Sequence, residues 1–169
     1  GTILIASIPA AIVGLACVYA IKSFLQNDRN KEVFSIKQQN HKTSLPLRLQ
    51  AYERLVIFLE RIKINSIVMR VHQNGMDAKY FQAELVSTIR SEFEHNLSQQ
   101  LYVGDISWQL VNFAKEETIQ MLNLASRAVK PGMSATDFSQ ILFELNASLE
   151  KQPTEEALRY LKAEMRKFF

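Results

Sequence analysis

One cysteine, four prolines and five glycines are the whole complement of backbone staples, stops and hinges in this 169-residue chain. A lone thiol, Cys17, cannot close an intrachain disulfide and excludes a cysteine-based zinc site. Glycines scattered singly cannot build a phosphate-cradling loop. No Gly-x-Ser-x-Gly elbow is present, and the serines fall at expected caps or polar faces, which argues against a serine nucleophile. With so few prolines and glycines, long stretches are free to be helical. One long stretch lacks charge: Gly1 to Ile21 carries none, and the first ionised side chain is Lys22.

Twenty-one uncharged residues at about 1.5 Å of helical rise each would cross the roughly 30 Å hydrocarbon core of a bilayer. The run predicts a transmembrane helix over residues 1–21, with a buried core helix as the alternative. It is too long for a signal-peptide core, lacks a basic leader, and ends in Tyr19-Ala-Ile-Lys22 rather than at small residues, so an uncleaved anchor is expected. Lys22, Arg29, Lys31, Lys37 and Lys42 follow it, which places the C-terminal part in the cytoplasm and the N-terminus outside. Pro9 can bend the span without breaking it. Ala6, Ala10 and Gly14 recur every four residues, the spacing of a small-residue face on which a second membrane helix can approach closely; ordinary use of small residues in an apolar helix is the other reading. Residues 22–44 read as a juxtamembrane stalk and solvated linker, with His41 exposed in it.

From residue 45 to 169 the pattern is that of an all-α cytoplasmic bundle. Ser44 and Pro46 signal a helix start, and Leu49, Tyr52, Leu55, Leu59 and Ile62 form a helical stripe. Asn65-Ser66 is expected to break that helix, and Ile67 to Val71 to form a two-turn helix or connector rather than a strand. Asp77 is placed at a cap, with Met76 on Phe81 as a hydrophobic staple ahead of Leu85, Val86, Ile89, Phe93 and Leu97. Gly104-Asp105 opens a helix bearing Trp108, Val111, Ala114, Ile119, Leu122, Ala125 and Val129, which Lys130-Pro-Gly132 stops. Ser134 with Asp137 reads as a capping box before Phe138, Ile141, Leu142, Leu145 and Leu149. Pro153 starts the last helix, with Leu158, Leu161, Met165 and Phe168 on one face. No repeat of fixed period is apparent.

The one spacing that suggests a metal is Glu92-x-x-His95, because residues three apart on a helix can share an ion. Di-metal bundles use that pair twice with further glutamates; here it occurs once, with Glu53, Glu60, Glu116 and Glu117 as possible additional carboxylates. A solvated Glu92 and a His95 bonded to backbone is the favoured alternative, and no catalytic residue, metal or cofactor is assigned. His72 is expected in a loop. The polar stretch His95, Asn96, Ser98, Gln99 and Gln100 is read as a helix exit or a partner surface. Arg159, Lys162, Arg166 and Lys167 alternate with Glu155, Glu156 and Glu164, as on a solvated face. The terminal pair Phe168-Phe169 calls for a surface to cover it: the bundle itself, a partner or the membrane interface.

Leu49-Gln-Ala-Tyr-Glu-Arg-Leu55, Phe58-Leu-Glu-Arg-Ile62, Glu94-His-Asn-Leu-Ser-Gln-Gln-Leu-Tyr-Val103 and Ala114-Lys-Glu116 resemble an uncharacterised family of short, single-span membrane proteins of Bacteroidetes-type bacteria. The resemblance implies a bacterial inner-membrane location and no particular activity. The expected function is a non-catalytic accessory subunit of a larger inner-membrane complex, docked by its span and its bundle. Its partners would be the lipid bilayer and other membrane-protein subunits or a second copy. A membrane-tethered di-metal enzyme and a tethered regulator are the alternatives. Nucleic acid is not expected, since a net charge of +3 is small for such a binder.

Overall fold

The apolar spacing that starts at Leu49 sets the first long element. In the computed structural model, which describes Tyr19, Lys22, Ser23 and residues 44–168, residues 44–61 are helical (α1). Tyr52, Leu55, Leu59 and Ile62 are fully buried, with Ala51 and Phe58 beside them, while Glu53, Arg54 and Arg61 face water. Ser44 is itself helical, so the cap expected there does not form at that residue. The break after α1 also falls earlier than Asn65-Ser66. Lys63 leaves the helical conformation (φ −53°, ψ 137°), and α2 runs Ile64–Val71 with Asn65 and Ser66 inside its first turn. Packing explains the shift: Ile64, Ile67 and Val68 share one helical face, and all three are buried. That stripe outweighs the slight reluctance of β-branched residues to be helical.

The other helices are α3 (Ala78–Glu94), α4 (Asp105–Ser126), α5 (Ala135–Ser148) and α6 (Pro153–Met165), with short 3-10 turns at Leu97–Leu101 and Arg166–Phe168. The chain is all-α, and no strand occurs among the described residues. Two stripes end sooner than their apolar spacing suggests: α3 stops before Leu97, which is partly exposed, and α4 stops at Ser126, before Val129. α4 packs on α3, α5 and α6, and α2 packs on α3 and α5. The Ser134–Asp137 capping box forms in full, whereas Asp77 occupies the N-cap of α3 without a side-chain cap bond.

The turns α2–α3 and α4–α5 are copies of one another. Gly75-Met-Asp-Ala78 and Gly132-Met-Ser-Ala135 stand 57 positions apart, each followed three residues later by a phenylalanine, Phe81 or Phe138. Both glycines have positive φ, 85° and 86°, which a side chain would oppose. The two turns pair through an antiparallel bridge at Asp77 and Ser134. The Ala78 amide donates to the Met133 carbonyl at 3.1 Å, and the Ala135 amide donates to the Met76 carbonyl at 2.9 Å. Ala78 and Ala135 are buried, and their small side chains let the backbones meet. Beneath them Phe81 and Phe138 pack edge to face, with ring centroids 6.2 Å apart. This is a local two-fold.

The chain divides into two compact units, residues 1–45 and 46–169. No helix among the described residues is long and apolar enough to cross a membrane. The expected span Gly1–Ile21, apart from Tyr19, lies outside the described residues, as do Ala6, Ala10 and Gly14 and nearly all of the linker 22–44.

Candidate functional site

Side-chain chemistry in the 46–169 unit concentrates in two places, one at the junction of α1, α2 and α3 and one where α1, α4 and α6 meet. At the first, Glu92 near the end of α3 receives two arginines. Arg61 grips it with both arms, Nε to Oε2 at 3.1 Å and Nη2 to Oε1 at 3.0 Å, and Arg70 Nη1 donates to Oε1 at 2.7 Å. Arg70 also donates to the Arg61 carbonyl at 3.1 Å, tying α2 to the end of α1. Burial pushes the Glu92 carboxyl up, but the hydrogen bonds and charges of Arg61 and Arg70 outweigh it and hold the carboxyl below its usual value.

This arrangement gives Glu92 and His95 separate employments. Both Glu92 oxygens are occupied by guanidinium donors, and a cation there would have to displace two arginines. His95 points its Nδ1 at the Ser91 carbonyl, 2.6 Å away, and since a carbonyl only accepts, Nδ1 carries the proton. Asn96 Nδ2 donates to the Glu92 carbonyl at 2.8 Å. The carbonyls of Ser91, Glu92 and Phe93 in the last turn of α3 are thus bonded by the two residues that follow it. Gln99 is buried and donates to Ser98 Oγ at 3.2 Å, leaving Gln100 exposed. Glu92, His95 and Asn96 do share a surface depression of about 290 Å³ with Arg54, Ile57, Phe58 and Arg61. Among the described residues, no cluster of three or more His, Cys, Asp or Glu side chains is placed to hold a metal ion.

At the second place, Phe168 lies against its own bundle. Its ring packs on Tyr52 at a centroid distance of 5.9 Å, and the Arg48 guanidinium sits 4.2 Å above its centre. Arg48 Nε in turn donates to the Tyr102 carbonyl at 3.1 Å. Glu164 of α6 accepts a hydrogen bond from the buried Ser107 hydroxyl of α4, and its carboxylate fills the space where a Cβ on Gly104 would stand. Burial, and then the nearby Glu164 carboxylate, push the Tyr52 phenol above its ordinary value, while Arg48 opposes them. Phe169 lies outside the described residues. Arg159, Lys162, Arg166 and Lys167 are exposed.

His72 lies in the α2–α3 connection, as expected, at the C-cap of α2. Its ring meets the edge of Phe81 at 5.6 Å, and its Nε2 lies 3.3 Å from Thr136 Oγ1 on α5. Arg48, Arg70, Ser107 and Glu164 have no signal in local sequence, because each acts across elements. The turn repeat did have one, in the recurrence of Gly-Met-x-Ala-x-x-Phe.

An all-α chain whose second unit is a helical bundle clasped at both ends is therefore the class of molecule these features define. Residues 1–168 match a family of unknown function (DUF7935), and the chain belongs to that family. No curated protein matches the chain, and neither does any solved structure.

Proposed function

We propose that this chain is a non-catalytic accessory subunit of a bacterial inner-membrane protein complex, anchored by Gly1–Ile21 with the helical unit on the cytoplasmic side. The observation that carries the reading is the joining of 21 uncharged residues, followed by basic ones, to a separately packed α-helical unit. The polar groups at the α1–α3 junction support it, since the Glu92 carboxylate is committed to joining α3 to α1 and α2, and the His95 Nδ1 proton to closing the end of α3 itself. In the span, Ala6, Ala10 and Gly14 would let a neighbouring helix approach closely.

The test is purification of the full chain from membranes in mild detergent, with resistance to carbonate washing measured beforehand. The wild type is expected to stay with washed membranes and to migrate on a native gel as a defined assembly. Gly14→Leu should insert equally well, because Leu is at home in hydrocarbon, yet lose that assembly, whereas Leu15→Ala on another face should keep it. Release by carbonate would refute the anchor. A Gly14→Leu variant that retains its partners would move the docking surface to the helical unit.

A further inference from the structure

One end of the helical unit exposes several apolar side chains. Within ten positions, Leu97 is 41% exposed, Leu101 78%, Tyr102 37% and Ile106 56%. Leu47, 46% exposed, belongs to the same end, because its neighbour Arg48 is bonded to the Tyr102 carbonyl. The exposed cations Arg166 and Lys167 flank this end, brought there by Phe168 packing on Tyr52 and under Arg48. Of the nearby acids, Glu164 is turned inward onto Ser107, which leaves Glu94 and Asp105 as exposed carboxylates.

Leucines and isoleucine beside a tyrosine, with arginine and lysine alongside, make the composition of a surface that lies in a membrane headgroup layer. Arg166 and Lys167 would meet the phosphates of anionic lipid, with Glu94 and Asp105 opposing them. Chain continuity favours lipid over a protein as the occupant. The unit starts at residue 46, α1 begins at this same end, and the 21 uncharged residues lie upstream on the same chain. We infer that the end of the helical unit bearing Leu101, Tyr102 and Ile106 binds the surface of an anionic bilayer, with Leu101 and Ile106 entering its apolar boundary. This rests on the membrane-anchored reading above.

The test uses the full chain in vesicles of phosphatidylethanolamine and phosphatidylglycerol. Cys17→Ser removes the native thiol, and a nitroxide is attached to Leu101→Cys or, separately, to Asn74→Cys. Asn74 lies in the α2–α3 turn, and the 17 residues of α3 put about 25 Å of helix between that turn and the apolar end. Collisions with oxygen, which concentrates in lipid, and with a water-soluble nickel chelate are then compared. The expected result is an oxygen-to-nickel ratio several-fold higher at 101 than at 74. That difference should shrink when phosphatidylglycerol is replaced by phosphatidylcholine or when Arg166→Gln and Lys167→Gln are combined. A carbonate-resistant chain whose 101 label meets nickel as freely as the 74 label overturns this inference and leaves the anchor standing. Shielding of 101 from both reagents means that protein covers it, which also overturns the inference. A chain released by carbonate but with 101 in lipid overturns the anchor and keeps the interfacial surface.

Discussion

Glu92 shows burial and charge opposing each other at a single carboxyl. Desolvation favours its protonated form, and two arginines favour the anion more strongly. Its folded-state value is therefore below its ordinary 4.5, and the stability it contributes is fully present above that ordinary value. It is lost as pH falls through the lowered folded value. Glu92→Gln should cost on the order of 1 kcal/mol at neutral pH, a figure discounted for the solvent that reaches Arg61. Urea titrations at pH 7 and at progressively lower pH should show the gap between wild type and variant closing with acid. Phe93 offers a second residue-scale test. Its ring stacks on Trp108 at 5.3 Å, meets Phe58 at 5.8 Å and carries the Lys115 ammonium 4.1 Å from its centre, yet it is only partly buried. Phe93→Ala should destabilise by about 2–3 kcal/mol, below the roughly 3–5 kcal/mol of a fully buried ring such as Phe81. The shift of the urea midpoint measures both.

The paired turns make element-scale predictions sharper, because equivalent positions act as controls for each other. Ser134 caps α5 through a complete capping box, whereas Asp77 at the matching position makes no side-chain cap bond. Ser134→Ala should therefore cost about 1 kcal/mol, and Asp77→Ala should stay within about 0.5 kcal/mol of wild type. Gly132 has open space around its Cβ position, so Gly132→Ala would test its positive φ alone, at a cost of about 1–2 kcal/mol. Gly104 is the opposite case. Its φ of −71° suits any residue, but a Cβ there meets the Glu164 carboxylate. That carboxylate is the far end of a flexible side chain and can swing away, at the loss of its bond to Ser107. Gly104→Ala and Ser107→Ala should thus remove the same interaction, and the double variant should be no less stable than the worse single one. Additive losses in chemical denaturation would show that the two act separately.

For the whole molecule, the local two-fold at the turns and the clasp at Phe168 hold opposite ends of the bundle. The unit beginning at residue 46 has its own buried core, from Ala51 to Leu161. A fragment of residues 44–169 should give a far-ultraviolet circular dichroism spectrum dominated by helix and should unfold in one cooperative transition. A spectrum dominated by β signal would contradict the packing described here. Removing Phe168 and Phe169 should lower that transition without abolishing it, because Tyr52 and Arg48 lose their cover while the turn end keeps its pairing.

Helical character was written in the sequence by itself. The three-and-four spacing of Leu49 to Ile62, the Ser134 capping box and the Pro153 start depend only on near neighbours, and near neighbours are what a sequence displays. The same local reasoning put the first break two residues late, at Asn65-Ser66, because turn-forming side chains are visible and the burial of Ile64 is not. It also left Glu92 and His95 open to a shared ion. Only the tertiary structure brought Arg61 and Arg70, from 31 and 22 positions away, onto that carboxylate. Whether Phe168 would meet its own bundle or something else was likewise decided by Tyr52 and Arg48, more than a hundred residues upstream. The recurrence of Gly-Met-x-Ala-x-x-Phe lay in plain view, but its meaning required the backbone. Two short turns 57 positions apart become a pair only when folding places Ala78 and Ala135 where each amide can reach the other turn's carbonyl.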